Sequence, residues 1–286
     1  MSDEGGRRIP RVSVVVPTYN SGPFVEATIE SILAQTFADF ELLVADHSST
    51  DDTWERLARF ADDPRVTLWQ TPPGGGAPAN WRAVTERATG EFLKLVCGDD
   101  VIYPTCLADQ VAAMDAHPQV TLVCARRDLV DAGGAVVMGG RGMARVRGYH
   151  AGRDVVRRAV VTGLNVFGEP ATVLMRREAL VASGGWWADF PYVIDLATYA
   201  RVLLRGDLYA VDASLAAFRI SDSQWSVELA ESQAEQVLAF HEALAATTPG
   251  LLSRADLARG RFMTRSLVRA RRLVYLALRR RMSTPE

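Results

Sequence analysis

The run Val12-Ser13-Val14-Val15-Val16 constrains the fold more than any other feature of this chain. It is rich in β-branched residues and leaves no room for polar alternation, the pattern of a strand covered on both faces. Such strands belong to parallel sheets with helical crossovers. Pro17-Thr18-Tyr19-Asn20-Ser21-Gly22 ends the run, and Val25, Ile29, Ile32 and Leu33 then recur at helical spacing between Phe24 and Gln35. The unit repeats. Glu41–Ala45 reads as a strand, Asp46-His47-Ser48-Ser49-Thr50-Asp51-Asp52 as a polar turn, and Thr53–Ala61 as a capped helix. Val66–Gln70 is a third strand, Pro72–Pro78 an irregular loop, Asn80–Ala88 a helix and Gly90–Val96 a fourth strand. The polar turns that follow these strands fall at one sheet edge, where an open α/β sheet forms its ligand crevice.

Beyond Pro104 the spacing predicts a helix over Leu107–Ala116 and a strand over Thr121–Ala125. Asp131-Ala132-Gly133-Gly134 reads as a hairpin turn between Arg127–Val130 and Ala135–Met138. Gly139–Gly168 carries few periodic signals. Thr172–Met175 is a short strand, Arg177–Ser183 a short helix, Gly184-Gly185-Trp186-Trp187 an aromatic turn and Ile194–Leu204 a helix. Gln233–Ala246 and Leu257–Arg281 read as helices, the second with an apolar stripe of Met263, Leu267, Ala270, Val274 and Ala277.

The fourth strand ends on the pair Asp99-Asp100. Adjacent like charges repel, so a buried pair persists only beside a cation or strong donors. A divalent metal is the obvious candidate.

Composition narrows the class. With 286 residues, 48% of them hydrophobic, the chain has material for one large domain or two small ones. No apolar stretch approaches the roughly 20 residues of a membrane span, and no apolar leader follows Met1-Ser2-Asp3-Glu4, so a cytoplasmic protein is expected. Cys97, Cys106 and Cys124 are too few and too scattered for a disulfide framework. The net charge of −2 hides a tail from Arg254 to Glu286 that carries ten arginines against Asp256 and Glu286. Such a helix packs its stripe on the domain, or lies on an anionic membrane at the inner face. A nucleic-acid partner has no motif to support it. Abundant arginine with a single lysine, Lys94, fits the coding bias of a GC-rich bacterium.

Three motifs now stand in order: Val14-Val15-Val16-Pro17-Thr18-Tyr19-Asn20, Ala45-Asp46-His47-Ser48-Ser49-Thr50-Asp51-Asp52-Thr53 and Cys97-Gly98-Asp99-Asp100. Together they resemble the inverting glycosyltransferases of family 2, from about Val12 to Arg219. The resemblance implies a GT-A fold: an α/β domain with a mostly parallel central sheet flanked by helices. It implies a flexible tail over 1–11, a catalytic domain over 12–222 split at residue 104 into nucleotide-binding and acceptor parts, and a helical extension over 223–286. It implies a nucleotide diphospho-sugar donor, UDP- or dTDP-linked, and a hydroxyl acceptor on a polysaccharide, a lipid-linked sugar or a small natural product. A homodimer is a further expectation.

Residue by residue, the resemblance places Pro17, Tyr19 and Asn20 on the nucleotide, with the Tyr19 ring stacking on the base. Asp46 would accept the imino N–H of uracil or thymine, Arg82 in Asn80-Trp81-Arg82 would pair with phosphate, and Asp99 would hold the ribose. Asp100 would bind Mn²⁺ or Mg²⁺ bridging the diphosphate. Asp195 would be the catalytic base, with Asp189 second choice, and Glu169, Trp186 and Trp187 would line the sugar and acceptor side. This chain departs from the pattern in three places. Cys97 stands where relatives often carry Asp, His47 replaces a common second Asp, and Arg219-Ile220-Ser221 replaces Arg-x-His, which leaves Asp100 the principal protein ligand for the metal.

Two other readings compete. A nucleotidyltransferase would need a glycine-rich basic loop after the first strand, and Pro17-Thr18-Tyr19-Asn20 is not one. A nucleotide-sugar-binding protein impaired in turnover is consistent with Cys97 and Ser221. A dehydrogenase lacks its G-x-G-x-x-G.

Overall fold

The computed structural model describes residues 9–143, 146–220 and 233–267. Strands β1 (Val12–Thr18), β2 (Phe40–Asp46), β3 (Val66–Gln70) and β4 (Phe92–Leu95) alternate with helices α1 (Gly22–Leu33), α2 (Thr53–Ala58) and α3 (Gly76–Glu86). There follow β5 (Val101–Ile102), α4 (Cys106–Ala116), β6 (Val120–Val130), β7 (Val136–Arg141), β8 (Gly148–His150) and α5 (Gly152–Thr162). β9 (Val173–Arg176), α6 (Arg177–Ala182), α7 (Ile194–Leu203), β10 (Asp207–Arg219) and α8 (Gln233–Thr247) complete the labelled elements, and residues 254–267 are helical.

The sheet runs β3-β2-β1-β4-β9-β6-β10-β5, with β7 added to β6 and β8 to β10. β1 pairs in parallel with both β2 and β4, and β2 with β3. β9 is antiparallel to β4 and to β6, and β10 is parallel to β6, so along this path only β9 and β5 oppose the direction of β1. This direction rule decides where the chemistry falls. The exits of β1, β2, β4, β6 and β10 and the entry of β9 all lie at one edge, which gathers residues near 18, 46, 98, 127, 170 and 219.

Cores lie on both faces, as the uninterrupted apolar strands require. Val12, Val14 and Val16 of β1 pack with Val25, Ile29 and Ile32 of α1 and Val111 and Met114 of α4. Val15 faces the opposite layer, with Trp81 of α3, Val155 and Val156 of α5, Ile194 and Ala197 of α7, and Phe240 of α8. Lys94, in the middle of β4, is fully buried. Its ammonium donates to Gln110 Oε1 at 3.0 Å, the Ala171 carbonyl at 2.6 Å and the Val173 carbonyl at 3.3 Å. Gln110 Nε2 donates to the Thr172 carbonyl at 2.7 Å, so β4 and α4 together fix the segment that follows Glu169.

Several sequence expectations need correction. α3 starts at Gly76 rather than Asn80, because Gly74, Gly75 and Gly76 adopt φ of 102°, 75° and 61° and turn the chain directly into the helix. Pro78 is tolerated in that first turn, where its missing N–H has no intrahelical acceptor. Thr121–Ala125 and Arg127–Val130 form one strand, β6. Gly139–Gly168 contains β8 and the amphipathic α5, whose Val155, Val156, Ala159 and Val160 are buried. β10 had no sequence signal. It carries Asp212 and Ser214 and pairs with β6 through register shifts around Val211–Ala216. In the C-terminal helix, Met263 and Leu267 are only part-buried, while Gly260 and Thr264 meet α5 at Val160 and Gly163. Ala270, Val274, Ala277, Ser221 and the first eight residues lie outside the described residues. Among the described residues no helix is long and apolar enough to cross a membrane.

Replacing Lys94 by Met keeps the volume and strands the oxygens of Ala171 and Gln110. The Lys94→Met variant should lose about 1 to 3 kcal/mol, read as a lower urea midpoint at unchanged slope.

Candidate active site

The site is organised around the turn that leaves β4. The Asp100 amide donates to the Cys97 carbonyl at 3.1 Å, closing Cys97-Gly98-Asp99-Asp100 into a four-residue turn. Gly98 is required there because a Cβ would lie 2.9 Å from Ser21 Oγ and 3.0 Å from Thr18 Cγ2 at the exit of β1. The turn brings the ligand atoms of Cys97, Asp99 and Asp100 within 4.8 Å of one another. Arg219, at the end of β10, clamps it. Its amide donates to Asp100 Oδ1 at 3.1 Å and its Nε to the Asp99 carbonyl at 3.0 Å. Its Nη1 reaches the carbonyls of Asp131 and Ala132 at 3.1 and 3.0 Å, and its guanidinium lies 4.7 Å from the Phe24 ring centroid.

Asp100 has no exposed surface, and its Oδ2 has no hydrogen-bond partner. Burial first, then the charge of Asp99, holds its carboxyl well above the usual carboxylate range. Burial and the charges of Asp100, Asp99 and Asp195 push the Cys97 thiol up in the same way. A donor set of two carboxylates and a thiol, with one carboxylate oxygen buried and unpaired, fits a divalent cation.

Asp195 lies in the first turn of α7, and backbone N–H groups there favour its charged form. Burial wins: its carboxyl is raised to about 7, with Glu169 adding to the rise and Arg127 opposing it. Asn165 Nδ2 donates to Asp195 Oδ2 at 3.3 Å. Glu169 Oε1 pairs with Arg127 Nη2 at 2.5 Å, while Glu169 Oε2 and Arg127 Nε are buried without partners. The Tyr199 hydroxyl, one helical turn after Asp195, is also buried and unpartnered, and the charges of Asp195, Cys97 and Glu169 act on it. Buried polar atoms are almost always satisfied. Here four unsatisfied ones surround the same acidic group.

At the other end of the crevice Tyr19 is 58% exposed, with its ring edge-on to His47 at 6.3 Å. Pro17 is in β1, and Asn20, at φ 47°, receives the Thr50 amide at 2.9 Å while its own amide donates to Ser49 Oγ. His47 is fixed between Thr71 Oγ1 at 2.7 Å and the Gly74 carbonyl at 3.0 Å. Asp46 is fully buried and already accepts from Thr18, from the Ser49 amide and hydroxyl, and from Gln70. It offers no free oxygen. Arg82 is exposed on α3, two residues after Asn80, whose Nδ2 ties the exits of β1 and β2 by donating to the Thr18 and Ala45 carbonyls.

Trp186 and Trp187 are not at the surface. Both are over 90% buried. Trp186 donates to Thr85 Oγ1 at 2.9 Å and packs on Trp81, while Trp187 packs among Phe190, Phe240 and Arg201. Their indole area is better buried than hydrated, so they form the wall behind the site rather than a sugar platform. Asp189 is exposed and receives the Trp187 indole N–H at 3.0 Å, whereas it is Asp195 whose charge reaches Cys97. Sequence reasoning missed Arg127, Asn165 and Tyr199. The available signals were an arginine just after the buried run of β6, the Asn165-x-x-Gly168 turn, and a tyrosine four residues after Asp195.

Two expectations follow. Arg219→Ala strips donors from three carbonyls and should cost about 2 to 4 kcal/mol in urea unfolding. Asp195 has a carboxyl at 3.8 when unfolded and about 7 when folded, so the folded state binds the extra proton and stability falls as pH rises across that window. The Asp195→Asn variant should lack this fall. It should unfold later than the parent at pH 8, by on the order of 1 kcal/mol or more, and the gap should close near pH 4.

The profile of Glycosyl transferase family 2 matches residues 13–182, from β1 through the acidic turn to α6. An uncharacterised protein of Mycobacterium tuberculosis is 30% identical over 216 residues, 73% of this chain and 67% of that protein. The poly(ribitol-phosphate) β-N-acetylglucosaminyltransferase TarS of Staphylococcus aureus is 34% identical over 110 residues, 37% of this chain and 19% of TarS. The chain spans only 14% of a Sinorhizobium fredii relative. Among solved structures, TarS 1–349 in complex with UDP-GlcNAc superposes with a TM-score of 0.70 at 19% identity, covering 89% of this chain and 71% of that one. The mannosyltransferase PcManGT of Pyrobaculum calidifontis, in complex with GDP-Man and Mn²⁺, gives 0.65 at 20% identity, covering 94% and 76%. These likenesses extend over both halves of the sheet and establish a GT-A fold. With the profile spanning more than half of its length, this chain belongs to glycosyltransferase family 2.

Proposed function

We propose that the chain transfers a sugar from a UDP- or dTDP-sugar to an acceptor hydroxyl with inversion at the anomeric carbon. The observation that carries this reading is the meeting, at one sheet edge, of a carboxylate near neutrality, Asp195, with a buried carboxylate whose Oδ2 is unpaired, Asp100. A base must accept a proton near operating pH, and a carboxyl raised to about 7 does so where an ordinary one is too weak. Asp195 takes the proton of the acceptor hydroxyl. The oxygen then attacks the anomeric carbon, and the electron pair of the old bond leaves with the nucleoside diphosphate. Asn165 orients Asp195, and the Arg127–Glu169 pair holds a second carboxylate toward the sugar hydroxyls.

Asp100, with Asp99 toward the ribose, would hold Mn²⁺ or Mg²⁺, and the ion would neutralise charge on the departing diphosphate. Tyr19 offers the exposed aromatic face that base stacking needs. A pyrimidine base reaches Asp46 on this reading by displacing the Ser49 hydroxyl. Arg82 supplies an exposed cation for phosphate.

Two variants test the assignment, with UDP release measured beside calorimetric UDP binding. Asp195→Asn should lower turnover by roughly 10²- to 10⁴-fold while UDP binding persists. Asp100→Ala should abolish the metal-dependent part of UDP binding. Full turnover in Asp195→Asn removes it from the role of base.

A further inference from the structure

Cys97 is the one cysteine of the three that is not fully enclosed, and it occupies the first position of the acidic turn. Its Sγ shares a 4.8 Å neighbourhood with oxygens of Asp99 and Asp100. Opposite ligands of one ion lie about 4.4 Å apart, given metal–sulfur and metal–oxygen distances near 2.3 and 2.1 Å, so a small side-chain rotation brings all three onto one centre. The second, independent sign of a ligand is Asp100 Oδ2, buried and without a partner in the same neighbourhood. Asp100 Oδ1 is already engaged by the Arg219 amide, which leaves Oδ2 as the carboxylate oxygen available to a ligand.

We propose that the Cys97 sulfur is a direct ligand of the donor-site cation, and that this site therefore prefers a thiophilic dication, Zn²⁺ or Co²⁺, over Mg²⁺. The inference rests on the nucleotide-sugar reading of the site and deepens it. A thiolate adds little to the binding of Mg²⁺, which demands oxygen and holds its waters, and adds much for softer ions that accept sulfur. Binding replaces the S–H bond by a metal–sulfur bond and releases the proton to solvent. Cys106 and Cys124 are buried elsewhere in the sheet layers and serve as internal controls.

The test uses the full chain with Co²⁺ alone as probe, then Co²⁺ with UDP. A near-ultraviolet thiolate-to-cobalt charge-transfer band should appear in one or both conditions and vanish in Cys97→Ser. Iodoacetamide labelling followed by mass spectrometry should show Cys97 protected by Co²⁺ and not by Mg²⁺. Cys97→Ser should weaken Co²⁺ binding about tenfold or more, and Cys97→Asp should shift the preference toward Mg²⁺. Equal Co²⁺ affinity in the parent and Cys97→Ser, or Co²⁺ bound without the band, overturns the sulfur ligand, as does a failure to take up Co²⁺ at all. Mn²⁺-dependent UDP binding measured on the same samples separates the two readings: if it persists without the band, the proposed function stands and the thiol ligand falls. If UDP binding shows no metal dependence while the band is present, the sulfur site stands and the donor-site reading falls.

Discussion

Everything at the functional edge depends on the clamp that Arg219 places over the β4 turn. A single residue satisfies the Asp99, Asp131 and Ala132 carbonyls with its guanidinium, lies over the Phe24 ring and, through its main-chain amide, donates to one oxygen of Asp100. It thus joins β10, the hairpin between β6 and β7, the acidic turn and α1. Buried carbonyls left unpaired would each carry a desolvation penalty comparable to the whole net gain of a hydrogen bond. The arginine is itself almost wholly buried, so its contacts act in a medium where they are strong. The clamp also distinguishes the two oxygens of Asp100: the Arg219 amide occupies Oδ1, and Oδ2 is left without a hydrogen-bond partner.

That arrangement concentrates negative charge where solvent cannot relieve it. Asp99, Asp100, Glu169 and Asp195 act on one another or on Cys97, and among these groups Arg127 is the cation that opposes the rise at both Asp100 and Asp195. The raised carboxyl of Asp195 expresses first its burial and then the charge of Glu169. It is also the property a general base needs, so destabilisation and reactivity have one electrostatic origin. Lys94 contributes nothing to the balance at the crevice, because its ammonium is turned inward to the carbonyls of Ala171 and Val173. Its role is to hold the backbone that positions Glu169.

The first half of the fold was legible because β1, β2 and β4 are apolar runs whose identity needs no partner. Their polar exits name the functional edge as soon as the strands are taken as parallel. β10 was illegible because Asp212, Ala213 and Ser214 interrupt it and pairing with β6, β8 and β5, all distant in sequence, makes it a strand. α5 was hidden for a related reason: three of its five buried residues are valines, weak helix formers that tertiary packing overrides. Within the site, Asp99, Asp100 and Asp195 were named because motif order carries them. Trp186 and Trp187 were misplaced because aromatic residues after glycines read equally well as a platform or a wall, and Trp81, Phe190 and Phe240 decide for the wall. Arg127 carries only a weak signal in the sequence, since its meaning lies in its partner Glu169, distant along the chain.

The two ends of the crevice differ in how complete they are before any ligand arrives. At the Asp46 end each carboxylate oxygen already has two donors, so a nucleobase would exchange one good hydrogen bond for another and gain little. At the Asp100 end a buried carboxylate oxygen has no hydrogen-bond partner, and a cation placed there would relieve a penalty that folding has already imposed. Binding free energy on the proposed reading therefore comes mainly from the diphosphate and its cation, with the base contributing orientation through Tyr19. An ion that satisfies Asp100 also places positive charge near Asp195, lowering its proton affinity once the donor complex forms. On the proposed reading the same cation would both complete the donor site and favour the ionised form in which Asp195 accepts a proton.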